Sequence, residues 1–302
     1  MAIVRAARAL GHPCRLVDVA GWRRRLGGLA DALIRRLVEG FQPEAVIFTR
    51  HAHHLEPEQI RELSAGRAGG VWYFDYAPTP APELLDLARA AGRLFVTCRS
   101  QVEAYRAAGV PQVLFLPQAM DPAYDRPATR VPSRYRCDLS FVGSGQYPDR
   151  HDLLRRLAAV GSLQVRGPGW EDAAGLPVAG GPVWGRSFAR VVGGAAISLG
   201  AHAIAGQATQ VACDSNRIWK VLGCGGLYLG AWQPGSDDFA RGGEHCVWYR
   251  GADEAVALAE RYLALPRERA EIAAAGREHA LQHHTYQHRL TLLLEGRGHT
   301  MV

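Results

Sequence analysis

Arg217 and Lys220 stand three residues apart behind the polar run Asp214-Ser215-Asn216, which suits a helix start. That spacing puts both cations on one side of a first turn, while Ile218, Val221 and Leu222 supply an apolar stripe. The free N–H groups at 216–219, beginning with Asn216, and two side-chain cations form an anion site if the turn faces a cleft; facing water, they form an ordinary basic helix. Lys220 is the only lysine among 35 basic residues, and an ammonium holds phosphate differently from a guanidinium. The glycine turn Gly143-Ser144-Gly145, with Arg150 soon after it, is a second candidate for holding phosphate.

Further residues carry possible chemistry. His51, His53 and Asp75 follow short apolar runs; a histidine titrates near neutrality and suits a general base, although HAHH also reads as a solvent-facing loop and Asp75 as a turn cap. Trp170 and Trp184 follow glycine-rich turns, where a large aromatic either closes a core edge or stacks on a base or sugar. Glu244 precedes an apolar run, as a turn carboxylate or a partner for a sugar hydroxyl. His283, His284 and His288 fall on different faces of a helical end, and no DxD tripeptide occurs, so no metal is expected.

The elements that must position these residues alternate. In the first half, a helix over 2–10 is followed by a strand-like stretch over 14–19 and a helix over 28–39. Strands at 44–48, 70–74, 93–97 and 112–116 then alternate with helices at 56–65, 81–91 and 100–108, a pattern that predicts a parallel sheet with helices on both faces. A buried opening strand has no room before the first helix, so either the start lies too far downstream or the first unit is incomplete. His51, His53, Asp75, Ser100 and Pro117 all fall at predicted carboxyl ends of strands, the usual ligand edge.

The Pro-, Asp- and Arg-rich segment 118–136 reads as a hinge. Beyond it the pattern restarts with strands at 137–142, 163–166, 196–199, 227–229 and 245–248 and helices at 149–159, 187–192, 252–263, 267–279 and 286–294. Two doubly wound sheets in tandem would take a ligand between facing crevices. This gives domains at 1–120 and 137–285, with 286–302 as a terminal helix and tail.

The 302 residues suit two domains, with 48% apolar and 21% charged residues. No apolar run is long enough to span a membrane, and Met1 to Gly11 lacks the regions of a signal peptide, so a cytoplasmic location is expected. The six scattered cysteines read as reduced core thiols. A net charge of +6 favours anionic partners, but no zinc-finger spacing or RNP-like strand points to nucleic acid. Nor does either half hold GxGxxG between strand and helix, which argues against a dinucleotide-binding oxidoreductase.

The segments CDLSFVGS, RGPGW, SNRIWKVLGCGGLYL, GEHCVWYRGADEAVALAERYL, LPRERAEIAAAGREHAL and HHTYQHR follow in order over about 137 to 292. On these segments the second half resembles the glycosyltransferase group 1 domain of CgeB-like, spore-maturation-type proteins, within the two-domain GT-B class. It implies a GT-B fold with two Rossmann-like domains facing a central cleft, and a last helix crossing back to the first domain. It also implies a nucleotide diphosphate sugar as donor substrate, with Gly143 and Ser144 near its phosphates, 182–186 (with Trp184) near the base and 216–220 beside the ribose and phosphates. Many retaining members carry a ribose-binding glutamate near the place where this chain has Lys220.

The reading that follows is a metal-independent glycosyltransferase without cofactor. It uses a UDP-, GDP-, ADP- or dTDP-sugar and an unidentified acceptor, and its stereochemistry and oligomeric state are open. Arg217, Lys220, the 216–219 amides and the glycine turn would relieve charge on the departing phosphate. His51, His53 or Asp75 would serve as base if the reaction inverts. A non-catalytic binding protein of the same fold and a nucleotide-sugar epimerase are the alternatives.

Overall fold

The computed structural model describes residues 2–77, 79–201 and 215–299. Asp214 of the expected helix start, and most of the stretch between the strand expected at 196–199 and that helix, lie outside these residues. The chain divides into two compact units, one built from residues up to Gln118 together with Tyr286 onward, the other beginning at Ala119 and ending at Thr285.

The first unit begins with α1 (Ala2–Ala9), α2 (Val19–Leu26) and α3 (Leu29–Phe41). These are followed by β1 (Ala45–Phe48), a 3-10 turn (Arg50–His54), α4 (Pro57–Ser64), β2 (Ala68–Tyr73), α5 (Pro82–Ala91), β3 (Arg93–Val96), α6 (Val102–Ala107) and β4 (Gln112–Phe115). The expected strand over 14–19 does not form: residues 12–18 have no regular structure and Val19 already opens α2. Asp18 caps that helix by accepting from the Gly21 amide, so Val19 enters the helix and residues 14–18 lead into it. The four strands are parallel and lie in the order β1-β2-β3-β4.

A sheet that always steps in one direction sends its right-handed crossovers to a single face. That face is filled by Ile34, Ile60, Leu84, Leu87 and Tyr105 against Val71, Tyr73, Leu94 and Val96. Side chains alternate along a strand, so Trp72 and Phe95 point the other way, and something else must cover them. The cover comes from α1, through Ala6 and Ala7, and from the last helix, α12 (Tyr286–Leu294), through Leu290 and Leu293. Arg289 is buried in the same unit with its Nε donating to the Pro117 carbonyl 3.1 Å away, and burial lowers its pKa to about 10.

The second unit runs β5 (Cys137–Val142), α7 (Pro148–Ala158), β6 (Leu163–Arg166), β7 (Val178–Gly180), α8 (Arg186–Gly194), β8 (Ala195–Gly200), α9 (Arg217–Gly223), β9 (Tyr228–Ala231), β10 (Val247–Tyr249), α10 (Ala252–Ala264) and α11 (Pro266–His283). Its six strands are all parallel in the order β10-β9-β8-β5-β6-β7. This is the doubly wound Rossmann order, in which the winding direction reverses between β5 and β8. Leu139, Phe141, Ile197, Leu199, Leu229 and Val247 pack under α7 and α10. The segment read as a hinge is partly built into this unit, with Met120, Asp121, Asp125 and Tyr135 buried.

Cys14, Cys137, Cys224 and Cys246 are free thiols, but Cys98, just past β3, is disulfide-bonded. This corrects the expectation of six reduced thiols. Spacing along a chain does not reveal which thiols a fold brings within bonding geometry.

Candidate functional site

In an open α/β sheet the ligand crevice lies outside the carboxyl ends of the two strands where the winding reverses. Here those ends are Val142 and Gly200, on β5 and β8. Arg217, the first residue of α9, reaches both: its Nε donates to the Val142 carbonyl at 2.7 Å and its Nη1 to the Ala201 carbonyl at 3.5 Å. Its guanidinium lies 4.7 Å from the centre of the Phe141 ring, a cation–π contact. Arg150, from the first turn of α7, lies 5.6 Å from the centre of the same ring and donates to the Ser144 carbonyl at 2.7 Å.

Two guanidiniums therefore share one aromatic ring at the switch point. Burial lowers the pKa of both, and Arg217 further depresses Arg150, which falls to about 10. No carboxylate among the described residues forms an ion pair with Arg217. Buried charges are ordinarily paired, so an unneutralised cation here favours an incoming anion.

The glycine turn is closely packed into the site. A Cβ on Gly143 would come within 2.7 Å of Arg217 Nη2 and 2.8 Å of Phe141, so only glycine fits beside the guanidinium. The Gly143 and Gly145 amides, however, donate at 2.9 Å to the carbonyls of Arg166 and Pro168, and Trp170 Nε1 donates to the Gly143 carbonyl. Only the Ser144 amide of this turn is without a backbone partner among the described residues. Two of the three amides that a phosphate cradle would use thus knit β5 to the loop after β6.

Tyr228 and Tyr249 complete the surroundings. Both are buried, both favour the charged form of Arg217, and the Tyr249 hydroxyl donates to the Gly200 carbonyl at 2.6 Å. A Cβ on Gly200 would overlap the Tyr228 hydroxyl. The sequence reading missed these tyrosines. Their approach to Arg217 depends on the register of β8, β9 and β10, and no local motif marks it.

The remaining candidates are distributed elsewhere. Lys220 does not join Arg217: its Nζ lies 4.6 Å from the centre of the Phe188 ring on α8. Asn216 stands at the start of α9 in helical backbone geometry and makes no side-chain cap bond. Trp170 is buried edge-on against Phe141 and close to the His151 ring, closing the core, whereas Trp184 is 71% exposed ahead of α8. Glu244 is exposed and bonded to Arg241 and His245; the Arg241 hydrogen bond leads the effects that hold its carboxyl below the ordinary range.

In the first unit, His51 and His53 lie on the exposed turn after β1, and Asp75 follows β2. His53 Nδ1 meets the Arg50 carbonyl at 2.7 Å, and Arg50 Nη1 pairs with Asp75 at 2.7 Å. The three candidates thus border neighbouring strand ends, and the carboxylate among them is engaged by an arginine. Among the described residues, no group of three or more His, Cys, Asp or Glu side chains is placed to hold a metal ion.

Residues 150–295, just under half of the chain, match the family model described as glycosyl transferase-like. No curated protein matches the sequence. Among solved structures, Anabaena HepE in complex with UDP and glucose is similar at 13% identity with a TM-score of 0.60, covering 89% of this chain and 83% of that one. The sucrose-phosphate synthase of Thermosynechococcus elongatus is similar at 11% identity and TM-score 0.58, covering 93% and 79%. The apo form of OtsA is similar at 11% identity and TM-score 0.62, covering 98% and 81%. At these identities the likeness is one of fold. With two Rossmann-like units carrying parallel sheets, the chain has the GT-B fold.

Proposed function

We propose that the protein is a metal-independent glycosyltransferase that uses a nucleotide diphosphate sugar, of the CgeB-like group whose segments the second half resembles. The observation that carries this reading is Arg217, a desolvated guanidinium without a carboxylate partner among the described residues, bridging β5 and β8 where the sheet reverses. The donor's diphosphate would sit against Arg217, Arg150 and the Ser144 amide. As the sugar C1–O bond breaks, its electron pair passes to the terminal phosphate oxygen, and fixed cations aimed at that oxygen lower the barrier. The acceptor hydroxyl oxygen then forms the new bond to C1 and gives up its proton, to a base beside the acceptor if transfer inverts or to the departing phosphate oxygen if it retains.

Trp184, the most exposed large aromatic, is the proposed stacking surface for base or sugar. Asn216 and Glu244 are proposed to accept or donate hydrogen bonds to sugar hydroxyls. Lys220 is proposed to hold the ribose–phosphate side of the donor. If transfer inverts the anomeric centre, His51 or His53 is the proposed base, with Asp75 orienting the acceptor through its pair with Arg50; retention needs no such base. UDP is the first nucleotide to test, because HepE binds it in its solved complex.

The test is a thermal-shift and product-release screen against UDP-, GDP-, ADP- and dTDP-sugars, run with and without EDTA. One nucleotide should stabilise the protein, and its sugar conjugate should release the free diphosphate whether or not EDTA is present. Stabilisation without release would reduce the protein to a nucleotide-sugar binder, and release of an isomerised sugar would make it an epimerase. No stabilisation by any of the four at millimolar concentration contradicts the reading.

A further inference from the structure

The positive charge of this protein is concentrated at one end of its sequence. Residues 1–41 hold eight arginines and three carboxylates, so five of the six net positive charges lie in this first segment. Much of it folds as the helical hairpin of α2 and α3, reversed at Gly27, whose φ of +55° favours glycine. Arg23 turns inward to Asp31 and Gln59. Arg24, Arg25 and Arg36 are exposed and have no carboxylate partner among the described residues.

The same hairpin presents apolar side chains to water. Ala30 and Ile34 bury the inner stripe of α3, while Leu29, Ala32, Leu33 and Arg36 fall on its outer stripe at helical spacing and are all exposed. Leu29 is 69% exposed, Leu33 43%, and Leu26, at the end of α2, 40%. Scattered exposed leucines need no explanation. Three within eight residues of a two-helix turn, rimmed by three cations without carboxylate partners, form an apolar tip inside a basic collar.

We propose that this hairpin is a docking surface for an anionic lipid bilayer. The leucines would insert at the headgroup boundary while Arg24, Arg25 and Arg36 contact lipid phosphates. Charge complementarity selects the occupant: the collar asks for an anionic surface, and the protruding leucines ask for one with hydrocarbon just beneath it, which a nucleic acid lacks. No helix among the described residues is long and apolar enough to cross a membrane, so this contact lies on the surface and does not span it. The inference stands apart from the glycosyltransferase reading, because it uses different residues and a test that needs no nucleotide.

The experiment is co-sedimentation of the full chain with vesicles of phosphatidylcholine alone or with about 30% phosphatidylglycerol, across about 0.05 to 0.5 M salt. The native protein should pellet with the anionic vesicles, less as salt rises, and little with the neutral ones. R24Q/R25Q/R36Q should lower the partition coefficient by roughly a hundredfold, at about a factor of five per arginine. L29S/L33S should lower it about tenfold or more. Because all five positions are exposed, circular dichroism melts of both variants should match the native protein.

Equal pelleting with both vesicle types, or none with either, overturns the proposal. So does retained binding by L29S/L33S, which would mark a site for any polyanion such as duplex DNA. A native dimer in sedimentation velocity that L29S/L33S converts to a monomer would also overturn it, by assigning the face to a second copy of this chain.

Discussion

Replacing Arg217 with alanine should separate binding from stability. In the free protein the substitution removes one short charge-assisted hydrogen bond, to the Val142 carbonyl at 2.7 Å, a marginal one to Ala201 at 3.5 Å and the hydrogen bond with the Tyr228 hydroxyl, a loss of about 1.5 to 3 kcal/mol. It also removes a desolvated cation whose field depresses its neighbour Arg150, which offsets that loss. The net change in unfolding free energy should therefore stay within about 1 kcal/mol. With a diphosphate bound, the guanidinium is compensated, and its removal should cost about 2 to 4 kcal/mol, a 30- to 1,000-fold rise in Kd. Isothermal titration with UDP, GDP, ADP and dTDP gives the affinity, and urea unfolding gives the stability. R217K keeps the charge but cannot bond both carbonyls as the planar fork does, so it should fall between, about tenfold weaker than native. A loss of 3 kcal/mol or more in stability with unchanged diphosphate affinity would make Arg217 a structural brace and refute the reasoning.

Four further outcomes follow from the same structure. K220A should lower turnover by about 10- to 1,000-fold with the fold intact, read by nucleotide diphosphate release; unchanged turnover would remove Lys220 from the chemistry. G200A should destabilise by about 2 to 3 kcal/mol in urea, because the new Cβ overlaps the Tyr228 hydroxyl, and G200A/Y228F should recover part of that. Desolvation holds the pKa of His279 and His245 below the ordinary histidine value and that of His299 down to about 4. The unfolded chain then binds more protons, so stability is complete above about pH 6.5 and is lost as pH falls from there toward 4. H299L should flatten that pH dependence by about 1 to 2 kcal/mol in melts at stepped pH, allowing for a partly exposed ring. R50A should free Asp75 from its ion pair; because both side chains are half-exposed, stability should change by less than about 1 kcal/mol, and a larger loss in urea unfolding would show a structural role.

Much of the second sheet is legible in the sequence because its strands are short apolar runs closed by glycine or polar turns, a signal that survives without tertiary context. β7 is missed, since Val178–Gly180 is three residues of exposed backbone with no periodicity to read. The region 14–19 reads as a strand, yet Asp18 caps a helix that takes only Val19 from it, and residues 14–18 are left without regular structure. Arg217 is visible as a cation at a helix start, but three-residue spacing places Cα atoms and not guanidiniums: Arg217 folds onto Phe141 and Lys220 onto Phe188. The second face of the first sheet is the least legible part. Its cover comes from helices separated by most of the chain, and each looks locally like an ordinary amphipathic segment.

A crystal structure of the protein grown with the nucleoside diphosphate that binds best tests the central claim most directly. A terminal phosphate within hydrogen-bonding distance of the Arg217 and Arg150 guanidiniums, outside the carboxyl ends of β5 and β8, is the predicted result. A diphosphate bound anywhere else, with both guanidiniums still turned to Phe141 and their backbone carbonyls, would contradict it.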